Sequence, residues 1–199
     1  MNFLAHAYLS HGNADILTGN MITDFVKGKK QFDFPEMIQK GIQLHRATDR
    51  FTDDHEVTQE FKKFYKADYR LYAGAFVDVT YDYFLANDTT YFNSEDALLS
   101  FSQTVYGQLE SNTHLLPNPF AAMLPYMAKQ NWLYNYRALT GIQKSFEGLR
   151  RRSKYITETE TAFSIFCNNL PEMESLYQQF FPQLQAFTLI TLNNMVQKS

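Results

Sequence analysis

His45 and Asp49 stand four positions apart in the segment PEMIQKGIQLHRATDRF, in register with Ile38 and Ile42 on the apolar side of a helical stripe. An imidazole and a carboxylate on a core-facing stripe need partners, since burying such groups unpaired costs on the order of several kcal/mol. Asp78 and Asp82 repeat the spacing inside LYAGAFVDVTYDYFLAN, a run that is otherwise apolar almost all round and carries no basic residue. A divalent cation is the economical partner for that pair, ahead of a structural ion pair. Asp24 in LTGNMITDFVKG and His6 in NFLAHAYLS add two more inward-facing groups. Four separated segments thus each turn one or two His or Asp side chains inward. This is the donor set of Mn²⁺, Fe²⁺, Zn²⁺ or Mg²⁺, which helical bundles hold with side chains projected from facing helices. The chemistry of such a centre is metal-assisted hydrolysis, in which water is made more acidic and an anionic oxygen is held.

The elements that must position these residues are helical. Apolar positions recur with the 3.6-residue period and strict alternation is nearly absent, which predicts an all-α helical bundle. The expected helices are 2–11, 14–27, 35–51, 56–66, 69–87, 94–110, 119–130, 132–147, 156–168 and 172–195. Gly12 and Gly28 suit C-terminal caps and Pro35 suits a first turn, whereas Pro125 is expected to kink or end its helix. His11, His55 and His114 are expected in exposed turns, and Asp53 and Asp54 to close one helix and cap the next. Without repeats or Pro/Gly/Ser linkers, residues 1–199 read as a single domain.

Composition narrows the function further. The 199 residues include 18 basic and 21 acidic side chains, a net charge of −3 that gathers no field for nucleic acid. A hydrophobic share of 45% excludes wholesale disorder, and the single Cys167 excludes an internal disulfide and cysteine-ligated metal sites. No apolar stretch approaches the roughly 18 residues of a membrane span, and no basic region precedes the first apolar run, so a cytoplasmic location is expected. A glycine-rich phosphate loop and a G-x-S-x-G elbow are both missing. Two local basic clusters, Lys27, Lys29 and Lys30, and Arg150, Arg151, Arg152 and Lys154, can dock a small acidic partner. Oligomeric state stays open.

The blocks MNFLAHAYLS, TGNMITDFVKG, GIQLHRATDRFTD and DVTYDYFLA, in that order, resemble the acyl carrier protein phosphodiesterase family, also called acyl-carrier-protein hydrolase. Thinner similarity continues through QNWLYNYRALTGI and GLRRRSKY. The resemblance implies an all-helical relative of the HD-domain metal phosphohydrolases. It also implies a manganese-dependent removal of the 4′-phosphopantetheine arm from holo acyl carrier protein. Two departures stand out. His45 is followed by Arg46, the acid coming only at Asp49, and Tyr83 stands where relatives are expected to have histidine. Position 83 lies off the face of Asp78 and Asp82, so the second departure is expected to be peripheral. Under this resemblance Asp24, His45 and Asp78 are the first-choice metal ligands and His6 a further one. Asp49 and Asp82 serve as further ligands, position the water or shuttle its proton, and Arg46 binds the remaining phosphate oxygens. Lys27, Lys29 and Lys30 dock the acidic carrier, with Arg151 and Arg152 as a second candidate surface. The alternatives are a metal phosphohydrolase acting on a nucleotide and a non-catalytic helical binding protein with an aromatic interior.

Overall fold

Residues 1–197 are described by a computed structural model in which the helical period of the sequence is realised throughout, with eleven α-helices and no strand among the described residues. In chain order these are α1 (Phe3–Tyr8), α2 (Ala14–Ile22), α3 (Glu36–Asp54), α4 (Glu56–Tyr69), α5 (Ala73–Asn87) and α6 (Glu95–Ser111). They continue with α7 (Asn118–Lys129), α8 (Trp132–Asn135), α9 (Leu139–Arg152), α10 (Glu160–Asn168) and α11 (Leu170–Gln197). Side-chain caps start several of them. Asn13 Oδ1 accepts from the amides of Asp15 and Ile16 at the head of α2, and Ser94 Oγ accepts from Ala97 at the head of α6. At α4 the cap is His55, whose Nδ1 accepts from the amide of Val57, rather than Asp53 or Asp54.

Several boundaries differ from the periodic expectation for identifiable reasons. The segment 14–27 leaves the α-helix at Ile22 and closes with a 3₁₀ turn over Thr23–Phe25. The segment 69–87 is broken at Arg70, whose φ of 47° no helix continues through, and α5 starts at Ala73. The expected helix 132–147 is two elements meeting at a corner so tight that a methyl group on Gly141 would overlap the carbonyl of Asn135. Pro125 does not end α7, nor does Pro182 end α11. Each loses one backbone bond, but buried Leu124 and Met127 in α7, and Phe180, Phe181 and Leu184 in α11, hold the helices in place.

Two packing features position the site. The first is the crossing of α2 and α3, which touch backbone to backbone at Gly19 and Gly41; a methyl on either would overlap the carbonyl of Ile38 or Ile16. The second is α5, apolar on nearly all sides and enclosed by α1, α4 and α9. Its Phe76, Tyr81 and Phe84 join Phe61, Tyr65, Phe146, Phe166 and Phe180 in a continuous set of ring contacts. The polar interruptions of that core are satisfied: Tyr65 bonds Thr80 and Tyr81 bonds Thr58, both at 3.0 Å. Tyr83 packs against Phe166, with ring centroids 5.0 Å apart. Among the described residues no helix is long and apolar enough to cross a membrane.

Candidate metal centre

α2 ends at Ile22, where a 3₁₀ turn takes over, and two carbonyls near its end accept bonds from side chains. Thr23 Oγ1 satisfies that of Gly19 at 2.7 Å, and His45 Nδ1 donates to that of Asn20 at 2.7 Å. The glycine crossing makes the second bond possible by letting α3 approach closely enough. With Nδ1 thus committed, Nε2 of His45 faces Asp49 Oδ2 at 3.1 Å and Asp24 Oδ1 at 3.6 Å. His6 comes in from α1, its ring stacked on that of His45 with centroids 3.8 Å apart and planes 9° from parallel. His6 Nε2 lies 3.2 Å from Asp49 Oδ1. That approach is not angled for a hydrogen bond, so both ring nitrogens of this buried residue lack hydrogen-bond partners among the described residues.

The structure therefore brings His6, His45 and Asp49 together, with donor atoms all within 4.8 Å of one another. Asp24 stands at the exposed edge of this group. Nitrogen and oxygen ligands about 2.1 Å from an ion are roughly 3.0 Å apart at right angles and roughly 3.4 Å apart in a tetrahedron. The contacts of 3.1, 3.2 and 3.6 Å match such edges. An orphaned imidazole beside a carboxylate and a second, oriented imidazole is a donor set that fits a divalent ion.

Two expected ligands are used differently. Asp82 is fully buried, and its oxygens accept from the amides of Leu4 at 2.7 Å and Ala5 at 3.2 Å. Asn2 makes no side-chain cap, so Asp82 caps α1 from 77 and 78 positions away. Both oxygens of Asp82 are thus engaged in anchoring α1. Asp78 pairs at 3.0 Å with the α-ammonium of Met1, which also lies 3.3 Å from Asp49 Oδ1. The cation that the apolar α5 run demanded for Asp78 is thus an amine in this structure. Nothing in residue type or spacing signals that amine, nor the Asn20 carbonyl, although Asn20 shares the helix face of Leu17 and Met21. Arg46 is exposed beside His45 and its Nη1 donates to Gln31. Lys27, Lys29 and Lys30 are exposed around the 3₁₀ segment Gly28–Asp33 that this bond ties to α3. Arg151 and Arg152 lie exposed at the C-terminal end of α9.

Electrostatics separates the two rings. Burial and the neighbouring His45 push His6 down to about 4. Burial also opposes charge on His45, but hydrogen bonding with Asp24 and Asp49 outweighs it and lifts the ring to about 9. Asp49 resists burial through the Met1 ammonium and the two rings, which hold it well below the ordinary carboxylate range. Its hydrogen bond with His45 lowers Asp24 as well. The Met1 amine is disfavoured as a cation by burial yet raised to about 11 by Asp78 and Asp49. Burial raises Asp78, and pushes Asp82 up to about 7 against the pull of its two amides.

A family model described as acyl carrier protein phosphodiesterase matches residues 1–184. The chain belongs to that family. Curated members named acyl carrier protein phosphodiesterase include one from Yersinia pestis, 29% identical over 184 residues that make up 92% of this chain and 95% of that protein. A second, from Photorhabdus laumondii subsp. laumondii, is 27% identical over 92% of this chain and 93% of its own length. A third, from Enterobacter sp. (strain 638), is 28% identical over 94% and 96%. No solved structure matches the chain, and the all-α description is carried no further toward the HD-domain label. Within this phosphodiesterase family the chain places its histidine–aspartate cluster in the first 49 positions, well inside the matched residues.

Proposed function

We propose that the protein hydrolyses the phosphodiester joining 4′-phosphopantetheine to holo acyl carrier protein, releasing the prosthetic group and the apo carrier. It does so with a divalent ion, Mn²⁺ first among the candidates, held by His6, His45 and Asp49 with Asp24 at the open side. The observation that carries this reading is the meeting of two imidazoles and a carboxylate from α1 and α3, in a chain of the acyl carrier protein phosphodiesterase family.

When bound, the ion supplies Lewis acidity to the phosphoryl group and makes water more acidic. The chain's own residues do the orienting. The Asn20 carbonyl keeps the proton of His45 on Nδ1, leaving Nε2 to face the centre. Asp49 spans both rings with one oxygen toward each, and its secured ionisation keeps the donor set together. Asp24 borders the centre on its exposed side, where water and substrate arrive. The guanidinium of Arg46, one residue beyond His45, presents a planar fork for the outer phosphate oxygens. Water adds to phosphorus as the bond to the carrier's serine oxygen breaks, and the serine leaves as a hydroxyl. Lys27, Lys29 and Lys30 form a basic lip for the acidic carrier.

The test is conversion of holo to apo carrier, followed by gel mobility, with added Mn²⁺, after chelation, and for Asp49→Asn. Chelation is expected to abolish turnover and Mn²⁺ to restore it. Asp49→Asn should lose about 100-fold or more while keeping its helical circular dichroism. Turnover that survives chelation, or hydrolysis of nucleotides with holo carrier untouched, would overturn the reading.

A further inference from the structure

Asn20 is completely buried near the end of α2, and it bonds the ring of His45 and the main chain of His6 at once. Its carbonyl accepts from His45 Nδ1 at 2.7 Å. Its side-chain Nδ2 donates to the carbonyl of His6 at 2.8 Å and to Ser10 Oγ at 3.1 Å. The His6 carbonyl can only accept, so the amide must meet it with nitrogen. That orientation leaves Asn20 Oδ1 buried with no hydrogen-bond partner among the described residues. An orphaned buried acceptor costs about 1–3 kcal/mol, which makes this amide a poor device for stability alone.

The nearby geometry gives it another use. The His6 ring has no hydrogen bond of its own, so its placement is inherited from the main chain at His6. That main chain is held at its carbonyl by Asn20 and by Ser10 Oγ at 2.8 Å. We propose that Asn20 is a positioning residue that sets the parallel register of His6 and His45, and thereby the directions from which their Nε2 atoms meet Asp49. The proposal rests on the reading that these three residues are the working centre. It adds to that reading a residue that touches neither ion nor substrate and governs the donor set from behind.

Two variants test it. Asn20→Ser removes the long donor, and Asn20→Asp keeps the size but turns an acceptor toward the His6 carbonyl. Thr18→Val is the control, being buried on the same helix and bonded to the carbonyl of Ala14 and the amide of Asn112. Ring-nitrogen magnetic resonance of His6 and His45 in metal-free protein is read beside Mn²⁺ affinity, and beside kcat and KM with holo carrier. The Asn20 variants should move the His6 ring signals, weaken Mn²⁺ binding about 10–100-fold and lower kcat similarly, with KM for the carrier within about twofold. Thr18→Val should leave all of these in place at a comparable loss of Tm. An unmoved His6 ring in a folded Asn20 variant, or equal losses in Thr18→Val, would overturn the proposal. Failure of both variants to fold would assign Asn20 to the fold and overturn it as well. A wild-type protein inactive on holo carrier would instead defeat the functional reading, and the ring signals would still decide the role of Asn20.

Discussion

His6 and His45 are chemically identical side chains whose rings stack 3.8 Å apart, yet their surroundings drive them in opposite directions. His45 at about 9 lies above the free imidazole value near 6.5, so between those limits the folded chain holds a proton that the unfolded chain releases. Its contribution to stability is therefore complete below pH 6.5 and lost as the pH rises through 9. In metal-free protein, the stability difference between wild type and His45→Gln should shrink over that interval by at most about 3 kcal/mol, as read from denaturant midpoints. A difference that grew with pH would contradict the assignment. The same proton must leave before Nε2 can hold an ion, so Mn²⁺ affinity should climb over the same interval in a titration. At this scale the sequence was informative where both groups shared one helix: the four-residue spacing of His45 and Asp49 sufficed to pair them. It could not separate Asp49 from Asp82, which has the same spacing on an apolar stripe. What distinguishes Asp82 is a pair of main-chain amides far away in sequence, and amides carry no residue signature.

Helices bring these residues together, and the decisive contact between helices is made of two missing side chains. Gly19 and Gly41 let α2 and α3 meet backbone to backbone, which carries the Asn20 carbonyl to His45. Gly41→Ala would force a methyl into the carbonyl of Ile16, with no flexible side chain to yield. We expect a loss of about 3 kcal/mol or more in a denaturant titration, together with loss of Mn²⁺ binding. An alanine variant of native stability would show that the helices separate at little cost. Helical period made α3 and α5 legible, because long apolar stripes survive local irregularity. It failed at Arg70 and at the corner between α8 and α9, where a single backbone angle or a single close approach decides the outcome. Pro125 does not end its helix, since burial on both sides of the proline outweighs one lost bond.

For the molecule as a whole, the bond of Arg46 with Gln31 ties the basic segment around Gly28–Asp33 to α3, the helix that carries His45 and Asp49, and under the proposed function that segment docks the carrier. Replacing both Lys29 and Lys30 by glutamate should raise KM for holo carrier roughly tenfold and flatten its dependence on salt, with kcat little changed. An unchanged KM would move docking elsewhere, with Arg151 and Arg152 next to be tried. The all-α fold was legible from periodicity because it depends on many residues at once, whereas the centre depends on a few long-range bonds. One of those bonds also sets an order of events. The six-residue α1 is too short to persist alone and is held by Asp82 of α5. A ribosome delivers His6 early, but the brace that fixes it is still untranslated. Until Asp82 has emerged, the nascent polypeptide lacks the bonds that hold α1, and the meeting of His6 with His45 and Asp49 has no brace.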